Sequence, residues 1–171
     1  MESPSYQDFC LKPFTTRSNR KALIQISNTL IPYGLLWWLM LQATEISPWL
    51  TPPFLIILSL FSLRSFSLMH DCGHGSLFET PRLNRVFGFL FGVINAVPQL
   101  SWSIDHAYHH KTNGDWERYR GVADFLSLDE FLNLSRKEQR IYTTIHHPLM
   151  AIPGGFYYLA IKPRLDLVVG I

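Results

Sequence analysis

Five of the seven histidines in this 171-residue chain fall between residues 70 and 110, in His70-Asp71-Cys72-Gly73-His74 and His106-Ala107-Tyr108-His109-His110. Residues three and four apart share one face of a helix, so His70 pairs with His74, and His106 with His109 and His110. A neutral imidazole gives one ring nitrogen to a metal while the other donates to an acceptor that fixes its tautomer. A single helical histidine is usually just a hydrogen-bonded core or surface residue. Two one-faced rows are different. Five converging imidazoles would be costly to desolvate, and mutually repulsive when protonated, unless a cation held them neutral. We therefore read His70, His74, His106, His109 and His110 as metal ligands. Asp71, Asp105 and Asp115 stand close in sequence as acceptors for the outer ring N–H groups. Imidazoles suit zinc, copper, iron and nickel alike, so the donors leave the metal open.

The elements that must carry these rows are apolar. From Ala22 to Ala43 no charge occurs, which at 1.5 Å per residue reaches across a hydrocarbon core of about 30 Å. Pro48, Pro52 and Pro53 mark a turn, and Phe54 to Met69 then runs straight into His70. Together the two runs predict a helical hairpin in a membrane. Arg64 is expected at the aqueous boundary, where its stem can snorkel. Lys and Arg flank the hairpin and are absent from its turn, which places both ends, the N-terminus and the first histidine row on the cytoplasmic side.

Val86 to Leu100 is too short to span and contains Gly88, Gly92, Asn95 and Pro98. A single crossing would also separate the two rows, so residues 82–104 are expected to be re-entrant or interfacial. Residues 111–140 are charged and water-exposed, with Ser127 and Glu130 spaced as a capping box. His146-His147-Pro148 lacks a histidine three residues earlier and reads as non-ligand. Pro148 to Ile161 reads as the start of a third membrane segment, and residues 1–21 as a flexible cytoplasmic tail. The fold class is thus all-α and multi-pass, with residues 22–171 as one domain. There is no signal-peptide pattern. A net charge of +2 without a dense basic stripe argues against nucleic acid. Cys10 and Cys72 form neither a disulfide framework nor a zinc-finger spacing.

The two histidine rows, some thirty residues apart, resemble the first two histidine boxes of the membrane fatty acid desaturases, in particular the acyl-lipid desaturases of bacteria and plastids. Gly75-Ser76-Leu77-Phe78, Thr112-Asn113-Gly114-Asp115, Arg118, Ser127 to Phe131, Arg140 and His147-Pro148 are also similar to that family. The likeness covers roughly residues 20–165. It implies a histidine-ligated di-iron centre, O2 as co-substrate, an acyl chain of a membrane lipid as substrate, and a ferredoxin or cytochrome b5-type electron donor. It also makes Cys72 a small packing residue. The family has a third His-x-x-His-His box that residues 1–171 do not contain, so five imidazoles, too few to surround two irons, lead us to expect a fragment that is inactive alone. A histidine-box hydroxylase or ketolase, a non-catalytic membrane remnant and a soluble metal-binding helical protein are the rival readings.

Overall fold

A computed structural model describes residues 16–115, 118 and 125–169 of the chain. Every element among them is helical, and the chain divides into two compact units, Met1–Phe91 and Gly92–Ile171.

The first unit is built on the helical hairpin. Helix α1 runs over Asn19–Ile46, a 3-10 turn over Pro48–Leu50, and α2 over Thr51–Gly73. Residues 1–15 of the expected tail lie outside the described residues. The helix starts three residues before the apolar run because the Ser18 side chain accepts from the Lys21 amide. Asn19 is held further by Glu79, whose carboxylate accepts from the Asn19 amide at 3.1 Å while the Glu79 amide donates to Asn19 Oδ1 at 3.1 Å. Ala22, Ile26, Thr29, Met40 and Ala43 are the buried residues of α1, at spacings of four, three, eleven and three residues that keep them on one face. Leu58, Ser65, Leu68, Met69 and Cys72 form the matching stripe of α2. Small side chains along both stripes let two apolar helices approach closely.

Arg64, expected near the aqueous boundary, turns towards α1. Its Nε donates to Thr29 Oγ1 at 2.9 Å and its Nη2 to Gln25 Oε1 at 2.7 Å. Thr29 is fully buried, and its own hydroxyl donates to Gln25 O at 2.7 Å. Thus one guanidinium straps the two arms together.

By length and composition, Pro48–Gly73, with mean hydropathy 1.5, is the one helical segment among the described residues able to cross a membrane. At 28 residues α1 is long enough, about 42 Å. Gln25, Asn28, Thr29, Pro32 and Gln42 dilute its apolarity, so the expectation of two equivalent membrane arms is not met by composition. Both helices nonetheless leave large apolar side chains uncovered, among them Ile31, Leu35, Trp38 and Leu41 on α1 and Leu55, Ile56 and Leu60 on α2.

Helix α3 (Pro81–Asn95) and α4 (Gln99–Thr112) together pass the same test, but only as a pair bent at the break between them. The corner is tight. Val97 N donates to Gly92 O at 2.9 Å, and Ala96 takes a positive φ of 50°. A Cβ at Gly92 would lie 2.8 Å from Gln99 Cβ and 2.9 Å from Val97 O, so only glycine fits there. The expected segment 82–104 therefore falls on two short helices that meet at a tight corner.

The second unit continues with α5 (Leu128–Asn133) and α6 (Arg136–Ile145). After a 3-10 turn at Pro148–Met150, α7 (Ala151–Phe156), a π turn (Tyr157–Ile161) and α8 (Lys162–Val169) follow as one helical run. That run is not among the segments apolar enough to cross, because Lys162, Arg164 and Asp166 interrupt it. Lys162 pairs with Asp166 at 2.7 Å, and Arg164 Nη2 donates to Asn95 O at 2.7 Å. The capping box expected at Ser127 and Glu130 is present, and a second one, which the sequence reading missed, joins Ser135 to Glu138. In both, the hydrogen bond from the serine hydroxyl, backed by the serine amide, holds the glutamate below the usual carboxylate range.

Two outcomes are expected. Thr29→Val should lower stability in detergent by about 1–3 kcal/mol, because Arg64 loses a buried acceptor, and adding Arg64→Met should recover most of the loss; thermal midpoints of the single and double variants check it. For the capping boxes, a depressed folded value means that the stabilisation is fully present above the usual carboxylate range and is lost as pH falls through the depressed one. Circular dichroism should therefore show acid loss of helix in the native chain that is absent from a Glu130→Gln, Glu138→Gln variant.

Candidate metal centre

Each histidine row is placed by the end of a helix. In the first unit, α2 stops at His74 in a Schellman motif: Ser76 N donates to Asp71 O at 2.9 Å, and Gly75 N to Cys72 O at 2.9 Å. The motif requires a left-handed residue, which Gly75 supplies with φ of 65°. The loop that follows is locked by Asn84. Its Oδ1 accepts from Phe78 N at 3.0 Å, and its Nδ2 donates to Phe78 O at 2.9 Å. Phe78 is buried and stacked on Phe87 at 4.7 Å between ring centroids. His70 and His74 thus sit one helical turn apart on a rigidly ended helix, with ring centroids separated by 4.5 Å.

His70 Nδ1 lies 3.2 Å from Asp71 Oδ1. A carboxylate only accepts, so the proton is on Nδ1.

In the second unit, α4 carries the other row. His106 Nε2 and His110 Nε2 are 3.0 Å apart, with their rings at 86°. Two lone pairs cannot face each other at that distance, so either one nitrogen carries a proton or both point at a cation. Two neighbouring ligands about 2 Å from one ion, at right angles, would be separated by about 3 Å, so the pair suits a metal as well as a shared proton. Trp102 stacks on His106 at 4.5 Å and fixes its plane. The His109 ring is offset from that pair, 6.1 Å from His106 and 5.8 Å from His110.

The carboxylates divide. Asp71 faces His70 as described. Asp115 engages Arg118, accepting from its amide at 3.2 Å and lying 3.8 Å from its Nε. Asp105 is exposed and, among the described residues, makes no hydrogen bond to an imidazole. His146 and His147 serve the end of α6: His146 Nδ1 donates to Tyr142 O at 2.9 Å, and His147 Nδ1 accepts from Leu149 N at 3.2 Å. Asn84, Asn19 and Glu79, which fix the loop after the first row, were not singled out from sequence. An asparagine three residues after a proline carries no pattern that marks it.

A sequence model described as fatty acid desaturase matches residues 47–165, a stretch that includes both histidine rows. The chain belongs to the fatty acid desaturase family. It is 34% identical over 156 residues to a fatty acid desaturase of Bacillus subtilis, covering 90% of this chain and 44% of that one. It is also 38% identical over 88 residues to a temperature-sensitive sn-2 acyl-lipid omega-3 desaturase (ferredoxin), chloroplastic, of Arabidopsis thaliana, covering 52% and 20%. A third relative is the acyl-lipid omega-3 desaturase (cytochrome b5), endoplasmic reticulum, of the same plant, 33% identical over 90 residues, covering 52% and 22%. The chain thus spans less than half the length of these curated relatives. No solved structure matches it.

In this desaturase-family chain, the end of α2 is the sensitive point. Gly75→Ala should destabilise it by about 1–2 kcal/mol, the cost of forcing a side chain into the left-handed region, while leaving the α4 row unaffected. Denaturation in detergent, with histidine ring resonances followed by NMR, checks both halves of that expectation.

Proposed function

We propose that residues 22–171 form the N-terminal part of a multi-pass membrane acyl-lipid desaturase, an oxidoreductase that introduces a double bond into a lipid-borne acyl chain using O2. Its histidine rows and N-terminus lie on the cytoplasmic side. His70, His74, His106, His109 and His110 are iron ligands in this reading. Asp71 orients His70, while Asp105 and Asp115 are the further carboxylates assigned to outer ring N–H groups. Electrons come from a ferredoxin or a cytochrome b5-type donor, the two kinds named for relatives of this chain.

One observation carries the reading: the family match over 47–165 encloses two rows in which imidazoles stand one helical turn apart, His70 by His74 and His106 by His110. The uncovered apolar surface of α1 and α2 supports a lipid surround. Iron supplies the capacity to activate O2, which no side chain has. The chain's own residues do the rest: imidazoles hold the ion, Asp71 keeps the His70 proton on Nδ1, and apolar walls exclude water. Five imidazoles are a partial donor set for two irons, so residues 1–171 alone hold metal weakly and do not turn over.

Replacing the matching segment of the Bacillus subtilis relative with residues 47–165 should give a chimera that forms new double bonds in host lipids. Alanine at any of the five histidines should reduce them by about tenfold or more. Hydroxylated instead of unsaturated products would overturn the assignment. The 171-residue chain should retain fewer than two irons per molecule, and two tightly held irons would refute the partial-set claim.

A further inference from the structure

Away from the histidine rows, α5, α6 and the turn after them enclose a cleft of about 720 Å³. That is the size of a small-molecule pocket. One side of it is a helical stripe: Arg136, Arg140, Thr143, Thr144 and His147 recur at helical spacings on α6 and just beyond it. The other side is apolar, made by Phe131, Leu149 and Met150.

The stripe presents donors. Among the described residues, neither Arg136 nor Arg140 forms an ion pair. The two glutamates near them in sequence, Glu130 and Glu138, are turned back into their own capping boxes. His147 accepts the Leu149 amide at Nδ1, which puts its proton on Nε2 and makes that nitrogen a further donor. Gln139 is committed to carbonyls of Phe131 and Leu134 and so fixes the wall. Two uncompensated guanidiniums one turn apart are suited to a phosphate, which they can grip through several charge-assisted hydrogen bonds. The apolar side does not end at the cleft. Leu149 and Met150 lead into α7, where Ile152 and Phe156 are exposed on the next turns. A ligand with an anionic head and a hydrocarbon tail matches both surfaces; a free anion would leave the second unused.

We propose that this cleft binds the phosphate headgroup of a membrane phospholipid, with Arg136 and Arg140 on the phosphate and Leu149 and Met150 along the first carbons of its acyl chains. Treating that lipid as the carrier of the substrate acyl chain rests on the desaturase reading. Headgroup binding needs no iron, so the two stand or fall separately.

The test is calorimetric titration of the detergent-solubilised 171-residue chain with dihexanoylphosphatidylglycerol. Saturable binding is expected, with inorganic phosphate weaker by about tenfold or more for want of the apolar contacts, and dihexanoylglycerol not competing. Arg136→Gln with Arg140→Gln should weaken the phospholipid by about tenfold or more at unchanged helical content. Lys137→Gln, off the stripe, should leave it unchanged, and Leu149→Ser should weaken the phospholipid but not inorganic phosphate. Unchanged affinity in the double arginine variant overturns the proposal, as does an equal loss in Lys137→Gln, which would mean diffuse attraction. Phosphate binding as tight as the lipid would make this an anion site, and tighter binding of a polyglutamate peptide would make it a docking surface for an acidic protein; either result also overturns it. A chain that binds the phospholipid as expected, in a chimera that makes no double bonds, would sink the desaturase reading and leave the cleft standing.

Discussion

Arg64 lies less than two turns before His70 on α2, and its guanidinium is held by Thr29 and Gln25 of α1. A charged group on an apolar helix pair is tolerated only where its donors find acceptors within the protein, because an unpaired one costs several kcal/mol. The strap joins the two arms at Gln25 and Thr29, and so ties their axial register as well. Apolar contact is non-directional, whereas the strap needs its donors and acceptors at set positions. The height at which α2 delivers His70 and His74 therefore depends on a hydrogen-bonded cation, while the apolar packing supplies the affinity of one arm for the other.

The same dependence on satisfied polar groups governs how α2 ends. A helix leaves its last carbonyls without partners, and here the Schellman motif answers Asp71 and Cys72 with amides from Ser76 and Gly75. Asn84 then saturates Phe78 at both amide and carbonyl, so the chain leaving the first row has few ways to move. Imidazoles that are to hold an ion need this, since one swinging on a frayed turn would hold it poorly. On α4 the equivalent restraint is aromatic: the Trp102 ring stacked on His106 fixes one imidazole plane, and the perpendicular His110 ring follows from helical spacing.

What could be read from the sequence were features with a fixed period or a fixed local pattern. The apolar runs gave the hairpin, the one-turn spacing gave the imidazole pairs, and the Ser127 and Glu130 pattern gave a helix start. The Ser135 and Glu138 box has the same pattern, masked by the charged residues around it. What stayed hidden were contacts whose partners lie far apart in the chain: Arg64 with Gln25 and Thr29, and Asn19 with Glu79. No spacing rule links residues some forty or sixty positions apart until the helices are paired. The break at Ala96 was foreshadowed by Gly92 and Pro98, but its tightness comes from the backbone packing against Gly92, which only coordinates reveal.

The protonation of the two rows sets a constraint on any ion they bind. With Asp71 accepting from His70 Nδ1, the first row has one imidazole whose tautomer is held by a carboxylate. In the second row the His106 and His110 Nε2 atoms face each other at 3.0 Å, a spacing that one shared proton or one cation can occupy. The two rows thus hold their imidazoles by different means, a carboxylate beside His70 in one and contact between rings in the other.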